Sequence, residues 1–177
     1  VKNVKSRMVK RAIHGDQQAF AQLILAQTEY LTRTGYLYLS REVDVQDAIS
    51  ETTLIAFRSI GQLQKPELFR TWLTKILIRQ CYKRYEEKAY EEYDVTKLAK
   101  LPSSLVGATV DEKLDLLGGL KQLNNQYRQV LLMFYYHGLS IHEISDITQI
   151  PENTVKSHLK RGKAQLKEWL GGDYFEE

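Results

Sequence analysis

From Gly138 to Arg161 the chain reads GLSIHEISDITQIPENTVKSHLKR, and the fold is decided here. Ser140, followed three residues later by Glu143, forms a capping box. The Ser hydroxyl accepts from the backbone N–H of Glu143, and the Glu carboxylate reaches back to the N–H of Ser140. A helix therefore starts directly after Gly138, a residue suited to ending the helix before it. The new helix, Ser140 to Thr148, is short and turns Ile141, Ile144 and Ile147 inward. Gln149-Ile150-Pro151 makes the turn. Pro151 suits the first turn of a following helix, where its missing N–H leaves no bond unmade, and Asn153 and Thr154 cap or brace the same end. In that second helix, about Pro151 to Leu170, Val155, Leu159 and Leu166 point to a core. Lys156, Lys160, Arg161, Lys163 and Lys167 are left for solvent or phosphate, and Ser157 and His158 are small or polar enough to address base edges. A short helix, a tight turn and a second helix with a basic outer face make a helix-turn-helix, which points to DNA.

Working outward, Leu114, Leu117, Leu120 and Leu123 space as an amphipathic helix loosened by Gly118-Gly119, and Tyr127 to His137 as a strongly apolar one. From Tyr90 to about Val110 the periodicity fades, and Leu101-Pro102-Ser103-Ser104 and Gly107 read as linker. The acidic residues at its entrance, Glu86, Glu87, Glu91, Glu92 and Asp94, read as a solvated helix end. The first half is again helical. Gln17 to Leu31 places Phe20, Leu23, Ile24 and Leu31 on one stripe; about Val43 to Ile60 does so with Ala48, Ile49, Thr52, Ala56 and Phe57. A third helix, about Phe69 to Glu87, turns Trp72, Leu73, Ile76 and Gln80 inward, after a loop from Gln62 to Leu68 that contains Pro66. The expected fold is all-α: two small helical domains, residues 1–89 and 111–177, joined by a flexible linker over 90–110.

Composition narrows the chemistry. The 177 residues carry 25 Lys+Arg against 22 Asp+Glu, a net charge of +3, so any nucleic-acid surface requires uneven charge. A single cysteine, Cys81, excludes an internal disulfide framework. His142-Glu143 opens like a zinc-protease motif, but Asp146 stands where the second His is needed, so no metal site and no cofactor are expected. There is no Gly-rich phosphate loop and no nucleophile elbow, which argues against an enzyme. The basic stretch Val1 to Arg11 has no apolar run behind it and no segment reaches the roughly 20 apolar residues of a membrane span, so a cytoplasmic protein is expected.

Two constellations remain in the first half. Asp44, Asp47 and Glu51 are spaced i, i+3, i+7 on one helical face, which is either solvated or a docking surface for a basic partner; spacing alone does not separate these. In the helix after Phe69, Arg70, Lys75, Arg79, Lys83 and Arg84 are interleaved with Trp72, Tyr82 and Tyr85. Cations that follow a backbone and aromatics that stack on bases suit single-stranded nucleic acid. The competing reading makes Trp72 core, with Leu73 and Ile76, and has the tyrosines cover the helix end.

Taken in order, these segments resemble the extracytoplasmic-function (group 4) sigma factors of the bacterial sigma-70 family. Gly15-Asp-Gln-Gln-Ala-Phe20 is similar to that family's opening motif, Asp44 to Thr52 to its acidic region 2 helix, and Phe69-Arg-Thr-Trp-Leu73 to the start of its promoter-melting helix. Gly138 to Ile144 and Ile150 to Ser157 are similar to its region 4. The resemblance implies a sigma region 2 bundle, a linker threading the polymerase and a region 4 helix-turn-helix. It implies a transcription initiation factor without catalytic activity that binds RNA polymerase core, at the β′ clamp helices and the β flap, and opens promoter DNA. Asp44, Asp47 and Glu51 would face the clamp helices. The loop with Lys65, and Trp72, Lys75, Arg79, Tyr82, Lys83 and Arg84, would engage the −10 element and capture a flipped-out base. Lys156, Ser157, His158, Lys160 and Arg161 would lie in the −35 major groove, with Asn153 and Thr154 near phosphates. A cognate anti-sigma factor, often membrane-anchored in this class, is a further implied partner, in keeping with a stress response. Ser50 departs from the family's usual Gln, Arg79 from Asn, Lys83 from Asp, Asn153 from Gly and His158 from Arg, so base preference does not carry over. The alternatives are a free-standing helix-turn-helix regulator with an N-terminal sensing or dimerisation domain, and a protein that sequesters polymerase.

Overall fold

The computed structural model describes residues 2–87, 118–120 and 122–170. Among these residues all regular structure is helical, and no helix is long and apolar enough to cross a membrane. The chain divides into two compact units, residues 1–97 and 98–177. The stretch read as linker, 90–110, lies outside the described residues, as do Leu114 and Leu117.

Among the described residues the first unit has five helices: α1 (Lys2–Ile13), α2 (Gln17–Leu25), α3 (Thr28–Tyr38), α4 (Glu42–Ser59) and α5 (Phe69–Glu87). Asp16 caps α2, its Oδ1 accepting from the Ala19 N–H at 2.9 Å while Arg11 pairs with Oδ2 at 2.6 Å. These contacts hold the Asp16 carboxyl below its ordinary range. The single helix expected over Gln17 to Leu31 is in fact two. At Gln27 the backbone N–H bonds back three residues to Ile24, and the Gln27 carbonyl then opens α3 by accepting from Leu31. This tightened last turn contains neither Gly nor Pro, which hid the break. The α1 helix also went unread, because its apolar inner residues Val9 and Ala12 are set in a strongly basic sequence.

The core of this unit lies where α4 and α5 pack on each other and on α3, around Leu31, Tyr38, Val45, Ala48, Leu77 and Ile78. Each large aliphatic side chain fully buried there contributes roughly 1.5–3 kcal/mol. The inward side of α5 is turned relative to expectation. Phe69, Leu73, Leu77 and Cys81, with Thr74, Ile78 and Tyr82, are buried, whereas Trp72, Ile76 and Gln80 are half-exposed. Apolar residues surround this helix, so periodicity alone set its rotation poorly. The Gln62–Leu68 loop is bounded by two tight turns, Ile60–Gln62 and Pro66–Leu68, on which α1 packs.

The second unit contains helical residues 118–120, α6 (Asn125–Leu131) running on into a π-helical turn (Leu132–Tyr136), α7 (Ile141–Thr148) and α8 (Glu152–Leu170). Gly118 and Gly119 admit Trp169: a Cβ on Gly118 would meet its ring at 2.4 Å. Gly162 does the same for the contact of α8 with α6, where a Cβ would meet Leu131 and Tyr127 at 3.0 Å.

Candidate nucleic-acid and partner interfaces

The helix-turn-helix forms as its sequence demands. The Ser140 Oγ accepts from the Glu143 N–H at 3.2 Å, and Glu143 Oε2 accepts from the Ser140 N–H at 2.8 Å, closing the capping box. The α7 helix ends on Gln149 in the left-handed conformation, φ 57°, with its side-chain amide donating to the Asp146 carbonyl at 2.6 Å. Ser145 Oγ donates to the Ile150 carbonyl at 2.6 Å and ties the turn to α7. Pro151 sits just ahead of α8, its carbonyl accepting from Thr154 and Val155. A further tie joins the two helices: His142 Nδ1 lies 3.1 Å from Glu152 Oε1 and Nε2 lies 3.8 Å from Asp146 Oδ2. The hydrogen bond to Glu152, then the Asp146 charge, raise the His142 pKa.

With Val155, Gly162 and Leu166 buried, Asn153, Lys156, Ser157, Lys160 and Arg161 are exposed along the outer side of α8, and Thr154 is half-buried. Ser157 Oγ donates to the Asn153 carbonyl at 2.9 Å. His158 stands apart from the other expected base-reading residues. Its ring packs edge-on against Tyr127, 5.3 Å between centroids, and its buried Nδ1 has no hydrogen-bond partner. Burial, then the nearby Arg161 charge, lower its pKa.

In the first unit the acidic trio is divided. Asp47 and Glu51 are exposed, but Asp44 is only 5 % exposed, on the inner stripe that continues through Ala48, Thr52 and Ala56. Its carboxylate lies 3.7 Å from Arg41 Nε, in the first turn of α4 where the helix N-terminus favours negative charge. The face expected to carry three carboxylates therefore carries two. Sequence reading missed the apolar residues beside them: Val43 is 51 %, Leu54 42 % and Phe57 47 % exposed. Val43, Asp47, Ser50, Leu54 and Phe57 recur at steps of four and three along α4, the spacing that one helix offers another, and this was the available signal. Phe57, expected inside, keeps one edge on Phe20 at 5.3 Å. Ser50 Oγ donates to the Gln46 carbonyl at 2.9 Å.

On α5, Trp72, Lys75, Arg79 and Lys83 share the outward side. Trp72 is half-exposed, its ring 6.0 Å from Phe69, so it is neither closed core nor a free platform. Lys65 is exposed on the adjoining loop. Tyr82 is buried instead, and burial followed by the Glu86 charge pushes its hydroxyl pKa to about 12. Arg84 turns toward α4, its Nη1 lying 3.3 Å from Asp47 Oδ2. Among the described residues no group of His, Cys, Asp and Glu is arranged to hold a metal ion.

Two family models match, sigma-70 region 2 over residues 25–90 and sigma-70 region 4 over residues 113–166, together more than half of the chain. The chain is 27 % identical to the ECF RNA polymerase sigma factor SigW of Bacillus subtilis, covering 94 % of this chain and 96 % of that protein. It is 24 % identical to the RNA polymerase sigma factor NccH of Alcaligenes xylosoxydans, covering 93 % of each. In fold it is similar to CnrH, solved in complex with the cytosolic domain of CnrY, with TM-score 0.57 and 21 % identity over 96 % of this chain and 98 % of that one. It is equally similar to the sigma factor RpoE of Bartonella quintana, solved with the anti-sigma factor NepR, with TM-score 0.57 and 19 % identity over 87 % of this chain and 98 % of that one. With region 2 and region 4 matched in order, each on its own compact unit, the chain belongs to the sigma-70 family of RNA polymerase sigma factors, in its extracytoplasmic-function branch.

Proposed function

We propose that this sigma factor binds RNA polymerase core through the outward face of α4, engages the −10 element with the Gln62–Leu68 loop and the α5 cations, and reads the −35 element with α8. The observation that carries the reading is the α4 face, where exposed Val43, Leu54 and Phe57 are interleaved with Asp47 and Glu51. A mixed apolar and acidic helical seam suits a basic helical partner such as the β′ clamp helices. Self-pairing would set like carboxylates against one another, which disfavours the free-standing dimeric regulator. In the −10 set, Lys65, Trp72, Lys75, Arg79 and Lys83 are the working residues. In the −35 set, Lys156, Ser157, Lys160 and Arg161 face the groove and Asn153 and Thr154 the phosphates, while His158 steadies α8 on Tyr127. The second unit meets the β flap. The protein acts in the cytoplasm, supplies binding and positioning, and leaves bond-making to the polymerase. An anti-sigma factor covering these faces is a fitting partner, since RpoE was solved with the anti-sigma factor NepR bound.

The test is charge reversal. Asp47→Lys with Glu51→Lys lowers affinity for core by at least about tenfold, the equivalent of about 1.4 kcal/mol, while circular dichroism stays unchanged. Assembly at wild-type strength with a folded variant contradicts the proposed docking face.

A further inference from the structure

The cations of α5 do not all belong to one surface. Viewed down the helix, Arg79 and Lys83 lie with Trp72 on the side away from the bundle, whereas Arg84 lies about 100° round from Lys83, toward α4. Its side chain is 24 % exposed and reaches Asp47 on α4 at 3.3 Å; the Asp47 side chain is 53 % exposed. Asp47 and Glu51 stand one turn apart on α4, a repulsive i, i+4 pair. The guanidinium relieves that repulsion and holds one carboxylate oxygen, Oδ2, leaving Oδ1 for an incoming donor.

We infer that Arg84 is a positioning residue of the polymerase-docking face, acting through Asp47, and not a contact to promoter DNA. The inference rests on the proposed roles of α4 and α5, and removes one cation from the set that the sequence assigned to the −10 element. Single-stranded DNA binding is sensitive to each cation that neutralises a phosphate. Removing one such cation lowers the slope of log affinity against log salt by about 0.7. The slope therefore separates a cation that touches phosphate from one that serves a neighbouring carboxylate.

The experiment uses the full chain, with Arg84→Gln, Arg84→Lys, Lys83→Gln and Asp47→Asn singly and in pairs. Binding to a labelled single-stranded DNA oligonucleotide of random sequence is measured across a salt series, and binding to core polymerase at one salt concentration. The expected result is a wild-type salt slope for R84Q and a slope lowered by about 0.7 for K83Q. In core binding, D47N and R84Q are non-additive by about threefold or more, D47N and K83Q are additive, and R84K restores most of the coupling because one N–O contact suffices. A lowered salt slope for R84Q, or additivity of R84Q with D47N, overturns the assignment. A wild-type slope for K83Q marks failure of the −10 reading at Lys83 and overturns the assignment with it, since the salt slope then no longer sets Arg84 apart from the cation beside it.

Discussion

The two helices proposed to meet DNA, α5 and α8, are held in place in different ways. The α5 helix is fixed by apolar burial on a broad side, with Phe69, Leu73, Leu77, Ile78 and Cys81 inside a bundle shared with α3 and α4. The α8 helix buries only Val155, Gly162 and Leu166, packs along its length on α6, and is joined to α7 by a turn held by the left-handed Gln149 and the Ser145 tie. A helix embedded in a bundle tolerates changes to its polar outer side but not to its inner side. A helix with a narrow buried stripe depends more on the few hydrogen bonds of the turn that leads into it.

The contrast breaks most readily at the core of the first unit. Leu77 is fully buried, so Leu77→Ala lowers the stability of that unit by about 2–5 kcal/mol in denaturant titration, with the unfolding of the second unit unchanged. A destabilisation shared equally by both units contradicts their description as separate compact bodies. Second in size is a pH effect confined to the other unit. His137, at the end of the π-helical turn, has its pKa lowered by burial to about 4 from an ordinary 6.5. The neutral form is favoured in the fold, so its contribution is complete above pH 6.5 and is lost as pH falls toward 4. The loss is about 3 kcal/mol, seen as acid destabilisation of the second unit that His137→Gln flattens. His142 has the opposite sign. Its raised pKa strengthens the tie to Glu152 below its ordinary pKa and releases it as pH rises through the raised value. Smallest is Ser140→Ala, which removes the cap of α7 and costs about 1 kcal/mol in the second unit alone. For this variant, −35 duplex affinity falling further than stability would show that the cap also aims α8.

What the sequence made legible follows the same division. The helix-turn-helix was readable to the residue, because the capping box at Ser140 and Glu143 and the turn at Gln149 to Pro151 are local chemistry written in adjacent side chains. The first unit was legible as a set of helices but not in their rotations. Nothing local distinguishes Trp72 from Leu73 as the inward residue of α5, or buries Asp44 while exposing Asp47; neighbouring helices decide both. The pair of Asp47 with Arg84, 37 positions apart, and the turn of His158 onto Tyr127 are likewise tertiary facts. The small net charge of +3 is now resolved by place: carboxylates on α4, cations on α5 and α8.

The central claim is that these two units work together only on polymerase. Run-off transcription with core enzyme across genomic fragments, with start sites mapped and the same fragments assayed for binding by the protein alone, tests it most directly. The account predicts discrete start sites that require both core and this chain, with weak and unselective binding by the chain alone. Tight, specific binding by the isolated protein, with no initiation when core is added, would contradict it.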